Sequence, residues 1–250
     1  MTRIAIQRWI VIGTAVFAAV PAFAQERAES RNMAVVGYHD LQARTAYQPV
    51  IRRQGDRWIA YIGHHGDKKI NSLNGQLENN GTSLLDVTDP RHPIFLAHIP
   101  GEEGKAEQGG AQMARVCSGD ELPKGVKGKY YLLRVFGNQA HEIWDTTDPA
   151  HPQMLTTVTR GLKGTHKNWW ECDTGIAYLV AGEPQWRSNR MTLIYDLSDP
   201  AKPVFIRSFG LPGQEPGASG PVPITLHGAI STGAQGNRVY FGYGTNENGV

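Results

Sequence analysis

Beyond its first two dozen residues the 250-residue chain has no apolar run long enough to span a membrane. Cysteine is scarce as well. Cys117 and Cys172 are the only two, which rules out a disulfide framework of the kind that staples small secreted domains. No stretch sustains 3.6-residue apolar spacing, so almost no helix is expected. Charge of one sign is not in excess. There are 25 Lys and Arg against 23 Asp and Glu, and Arg3 and Arg8 sit in the N-terminal leader, so 23 of each sign remain after it. A balance near zero, with no run of like charge, excludes nucleic acid or an anionic membrane as a main partner. No G-x-S-x-G, Walker loop, H-E-x-x-H or dinucleotide fingerprint occurs. The Asp-Pro turns lack the regular acid spacing of calcium loops.

The leader reads as a signal peptide over residues 1–24. Arg3 and Arg8 open it, an apolar run from Trp9 to Val20 follows, and Ala22-Phe23-Ala24 fits a small-x-small cleavage rule. Cleavage near Ala24 leaves a mature chain with no transmembrane segment, expected in the periplasm or outside the cell.

Glycine is abundant at 29 residues, with 15 prolines, and short aromatic and β-branched bursts lie between them. This is the punctuation of short strands and tight turns. Self-comparison then shows a repeat. Thr82-Ser83-Leu84-Leu85-Asp86-Val87-Thr88-Asp89-Pro90 returns as His141-Glu142-Ile143-Trp144-Asp145-Thr146-Thr147-Asp148-Pro149 and as Thr192-Leu193-Ile194-Tyr195-Asp196-Leu197-Ser198-Asp199-Pro200. A further proline follows each copy: Pro93, Pro152 and Pro203. The apolar stretch reads as a strand. Thr/Ser-Asp-Pro reads as a turn, because the aspartate can cap backbone N–H groups ahead of it and proline presets φ. The last proline opens the next strand, where a missing N–H is tolerated.

Two more strands precede each hairpin: Pro49–Arg53 and Trp58–Gly63, Gln112–Cys117 and Tyr130–Phe136, Lys167–Glu171 and Ile176–Ala181. Four antiparallel strands recurring at this length predict the blades of a β-propeller, an all-β fold. The expected blades cover 47–101, 111–161 and 165–211, with a partial fourth at 226–250 and a lone outer strand at Met33–Gly37, all inside a domain of residues 25–250. About three and a half blades are therefore expected. A seven-bladed ring at this period would need about 400 residues, so the chain reads as truncated from such a ring.

The hairpins resemble those of the LVIVD-repeat family, named for an apolar tetrad ending in aspartate. Thr192-Leu193-Ile194-Tyr195-Asp196 carries the likeness best; the other two copies have polar residues at apolar positions. The resemblance spans roughly residues 33 to 250. It implies an exported bacterial propeller and no particular reaction. A more distant likeness, to the selenium-binding and methanethiol oxidase propellers, implies histidines on one face holding copper.

Propeller topology sorts the loops by face. With strands a to d running from axis to rim, the d–a and b–c loops share one face. The Asp-Pro turns, with His92 and His151, lie on the other. Gln48, Gln112, His166 and His227 stand at the starts of inner strands, facing the channel. His64, His65, His141 and Glu183 come to the same face from b–c loops. Three to five of these residues could ligate copper, zinc or iron, with His166, His227, His64 and His65 as the candidate ligands. His64 and His65 are adjacent, so in a strand only one of them can face the axis. A polar, water-filled channel is the alternative. Trp186 and Arg187, beside Arg190, form a loop suited to an anionic or aromatic ligand. Cys117 and Cys172 end neighbouring inner strands. A cross-blade disulfide and two separate buried thiols are both open. The expected function is a binding platform for a protein, glycan or small ligand; the alternative is a metal-dependent oxidoreductase at the channel mouth.

Overall fold

The computed structural model describes residues 32–244, and the blades lie in the unit that begins at Val36. The first blade starts with β1 (Tyr47–Gln54) and β2 (Arg57–Gly66). A small hairpin, β3 (Lys68–Ile70) and β4 (Leu77–Asn79), interrupts it before β5 (Gly81–Asp86) and β6 (Ile94–Pro100) complete the antiparallel order β1-β2-β5-β6. β7 (Ala106–Ala111) then pairs with the far end of β2. The second blade is β8 (Ala114–Ser118), β9 (Tyr130–Phe136), β10 (Ala140–Asp145) and β11 (Gln153–Arg160). The third is β12 (Asn168–Trp170), β13 (Ile176–Ala181), β14 (Met191–Asp196) and β15 (Val204–Phe209). Two strands of a fourth follow, β16 (Thr225–Ser231) and β17 (Val239–Gly244). The protein is a β-propeller in part: the inner strands β1, β8, β12 and β16 lie side by side in that order.

The core sits between the blades. Successive side chains of a strand point to opposite faces, so one strand feeds two cores. Leu132 packs with Ile59, Tyr61, Leu84 and Ile99 of the first blade. Its neighbour Leu133 packs with Trp170, Leu179 and Leu193 of the third. Each such side chain, fully buried, contributes about 2 kcal/mol. The face-to-face cores explain why alternation is blurred in β9, whose five central residues are all buried, four of them apolar and the fifth Arg134.

The repeated motif has one chemistry in all three copies. Asp86, Asp145 and Asp196 each accept from the N–H two residues on, at 2.8–2.9 Å. Asp89, Asp148 and Asp199 do the same for Arg91, Ala150 and Ala201, at 3.0–3.1 Å. These are side-chain-capped turns in series. His92 and His151 are exposed, and each binds the aspartate of its own turn.

Two differences from the sequence reading stand out. Met33–Gly37 carries no strand; a β-capable segment becomes a strand only with a ladder partner. β3, β4 and β7 were not foreseen. β7 reads Ala-Glu-Gln-Gly-Gly-Ala, with no β propensity, and extends only because β2 runs past its blade and offers a free edge. Gly63 permits that close approach, since a Cβ there would lie 2.4 Å from the Gln112 carbonyl oxygen. Two single-turn helices, Leu41–Ala43 and Gly233–Gly236, are the only helical residues among those described, none of them in a helix long and apolar enough to cross a membrane. The leader, 1–24, and the final six residues lie outside the described residues.

Cys117 and Cys172 form a disulfide, with Cα atoms 5.3 Å apart. It ties the end of β8 to the residue pair after β12, fastening the inner edges of the second and third blades.

Candidate functional site

The polar cluster at the axis is assembled by loops that local sequence chemistry sets in place. A bulge interrupts β1 between Tyr47 and Val50, where Pro49 has no N–H to give and Gln48 takes φ +40°. Positive φ before a proline is strained. The bulge shifts the register so that Tyr47, still paired with Gly63, points towards the axis. There its ring lies 4.7 Å from that of His65, and its hydroxyl accepts a hydrogen bond from Lys167 Nζ. The same ammonium sits 4.2 Å from the Tyr47 ring centroid. β7 pairs His65 with Gly110 and brings Gln112 alongside. His65 Nε2 is 3.1 Å from Gln112 Oε1, which assigns the ring proton to that nitrogen.

A second set of contacts runs in parallel. Arg190 Nη2 donates to Glu107 Oε2 at 3.2 Å. His166 Nδ1 stands 3.9 Å from the same oxygen. The rings of His166 and His227 are 4.8 Å apart. His166, Lys167, Arg190 and Gln112 are all buried.

Burial, then the charges of Arg190 and Lys167, hold the His166 pKa down at about 2. Burial and the same two cations also lower His227. Burial lowers Lys167 to about 8; Glu107 opposes this, and Arg115 and Arg190 reinforce it. Burial raises Tyr47, with Glu107 adding to the rise. At neutral pH His166 and His227 are therefore neutral. Lys167 and Arg190 face the Glu107 carboxylate, and Arg115 adds positive charge beside Lys167. The cluster is electropositive, and several of its buried polar groups are unpartnered: Arg190 Nη1, Gln112 Nε2, Arg115 Nε and both ring nitrogens of His166. Buried polar groups ordinarily have partners. A concentration of orphaned donors beside surplus positive charge is built to meet an acceptor-rich, anionic group.

Two cavities flank the cluster. One, of about 580 Å3, opens on the loop face and is lined by Lys105, Glu107, Lys163 and Arg190. The other, of about 400 Å3, is bordered by inner strands of all four blades, through Gln48, Arg115, Trp169 and His227.

Of the expected site residues, the structure brings His65, His166, His227 and Gln112 into the cluster, and Gln48 to the channel cavity. The rest lie elsewhere. His64 turns away from the axis; its Nε2 contacts Ser83 Oγ at 2.7 Å and its Nδ1 the Thr45 carbonyl. It cannot also offer a free lone pair to a shared metal. His141 is enclosed within β10, where burial lowers it to about 4. Glu183 accepts from Ser208 Oγ at 2.6 Å, towards the rim. Trp186 packs on the apolar core. Arg187 clamps the carbonyls of Gly213, Ser219 and Gly220, ordering the loop after β15. Among the described residues no group of three His, Cys, Asp or Glu converges to hold a metal ion.

Sequence reasoning did not single out Tyr47, Glu107, Arg115 and Lys167. Lys167 follows His166 directly, a signal that was available. Glu107 lies in a glycine-rich stretch without one.

No family model matches the chain, and no curated protein matches it. Two solved structures of an exo-β-1,3-galactanase from Phanerochaete chrysosporium with β-1,3-galactotriose are similar, at TM-scores of 0.42 and 0.41 and 10% and 9% identity. Each covers 67% of this chain and 36% of its own. A β-fructofuranosidase from Bombyx mori follows, with a TM-score of 0.39, 9% identity, and coverage of 66% and 37%. The chain thus spans little more than a third of those proteins.

Proposed function

We propose that this chain is an exported propeller of the LVIVD-repeat type that works as a binding module, holding a small anionic ligand on its axial cluster. The observation that supports this is the meeting of orphaned buried donors on Arg190, Gln112 and His166 with surplus positive charge from Lys167, Arg190 and Arg115. Leaving such groups unpaired costs roughly 1–3 kcal/mol each, and an oxyanion would satisfy several at once. The leader and the Cys117–Cys172 disulfide both suit export to an oxidising compartment, the periplasm or beyond. A protein or glycan partner would meet the loop face around the same cavity.

Titration of the purified mature protein with acetate, phosphate and sulfate, followed by calorimetry, tests the reading. At least one anion should bind, and Arg190→Met should weaken it about tenfold or more. No heat and no rise in melting temperature with any of the three would sink it.

A metal-dependent oxidoreductase is the competing reading. His65, His166 and His227 are its ligand candidates, and neutral His166 and His227 imidazoles are in the form that copper, zinc or iron takes. The fit is poorer, because Lys167 and Arg190 place fixed positive charge beside those rings. Elemental analysis of protein from its own compartment decides: about one transition metal per chain, lost in His166→Ala/His227→Ala, would replace the anion reading.

A further inference from the structure

The channel cavity has two kinds of lining. Arg115, Lys167 and His227 bring polar and cationic groups; Trp169 and Phe241 bring aromatic surface. Its volume of about 400 Å3 lies in the range of about 300–1,000 Å3 that takes small organic ligands. The two kinds meet at one contact. The Arg115 guanidinium carbon lies 5.0 Å from the Trp169 ring centroid, so the indole fixes the plane of the guanidinium. Arg115 Nη1 is used on the Ala114 carbonyl at 2.9 Å, while Nε is buried without a partner. Beyond Trp169, Phe241 packs edge-on against Tyr178 at 6.4 Å and beside Phe209 at 5.2 Å. Phe241 is thus held from behind.

Resting on the anion reading above, we infer that the ligand is an aryl carboxylate: a flat aromatic body lying along Trp169 and Phe241, with its carboxylate turned to Arg115 and Lys167. A phosphate or sulfate would use only the cationic end. A neutral sugar would stack on the rings and leave the Arg115 and Lys167 charges uncompensated. An aromatic acid meets both. Aromatic pairs prefer offset or edge-on geometry at about 4.5–7 Å, the range the ligand ring would take against Trp169 and Phe241.

The experiment is calorimetric titration of the whole mature chain with benzoate, acetate and benzyl alcohol in parallel. Benzoate should bind at least tenfold tighter than acetate and tenfold tighter than benzyl alcohol. Phe241→Leu, which keeps an apolar side chain against Tyr178 and Phe209, should lower benzoate affinity about fivefold more than it lowers acetate affinity. Benzoate no tighter than acetate would overturn the aryl assignment and leave the anion reading standing. Benzyl alcohol equal to benzoate would overturn the carboxylate assignment. No binding of benzoate, acetate, phosphate or sulfate would overturn both.

Discussion

Removing the disulfide should cost this protein about as much as a large core truncation. Cys117 and Cys172 are 55 residues apart in sequence, and the loop they close contains nearly the whole second blade. In the chain-entropy account, closing a loop of that length removes about 14 cal/mol/K from the unfolded ensemble, or about 4 kcal/mol at 25 °C. Cys117 is fully buried in the core that Trp170, Leu179 and Leu193 fill, and Cys172 packs against it, so Cys117→Ala/Cys172→Ala gives up a little packing; the larger part of the loss should appear as an effect on the unfolded chain. Two signatures follow in urea unfolding. The midpoint falls, and the slope m rises, because the unlinked chain exposes more surface on unfolding. By heat the shift should be roughly 8–16 °C for a domain of this size. Wild-type protein unfolded in reductant should reproduce the double variant, and reductant should leave the variant unchanged. A loss under about 1 kcal/mol, or an unchanged m, would refute the argument that the bond acts by restraining the unfolded state.

Other consequences are open to measurement. Arg134 is buried between the first and second blades, donating to Glu142 and to the carbonyls of Ile99 and Pro100 at 2.9–3.1 Å. Glu142→Ala strands that guanidinium and should cost about 3–5 kcal/mol by chemical denaturation, whereas a joint Arg134→Met/Glu142→Leu exchange should cost clearly less; equal costs would mean the charge is not effectively buried. Hydrogen bonds from the Ser198 side chain and backbone hold the Asp196 pKa below its usual value. Its folded pKa is below its unfolded one, so its contribution is present above about pH 4 and is lost as pH falls through the folded value. Asp196→Ala should lose about 1 kcal/mol at pH 6 and progressively less difference should remain towards pH 2. A difference that grows on acidification would contradict the capping role.

The fold was legible where its causes are local. The Asp-x-Thr/Ser-Asp-Pro hairpin is written in three copies because each aspartate caps an N–H two residues away, a contact made before any blade packs on another. The strands of the blades were readable from the same punctuation, and Tyr130–Phe136, Ile176–Ala181 and Val204–Phe209 stand where the pattern places them. β7 was not readable, since its six residues become a strand only against the overrun of β2.

The site divides along the same line. Sequence alone placed His166, His227 and Gln112 at the starts of inner strands, because a repeat aligns equivalent positions and topology sends them to one face. It also stated that one of His64 and His65 must face away, by the alternation of a strand. Which one, and towards what, was decided by tertiary structure: β7 lies beside His65, and Ser83 takes His64. The same holds for Tyr47, turned inward by a bulge, for Glu107, carried in by β7, and for Arg187, spent on a distant loop. Repetition fixes where a residue stands along the chain's own period. Burial, orphaned donors and the sign of the local field depend on what other blades bring within a few ångströms, and no period in one chain encodes that.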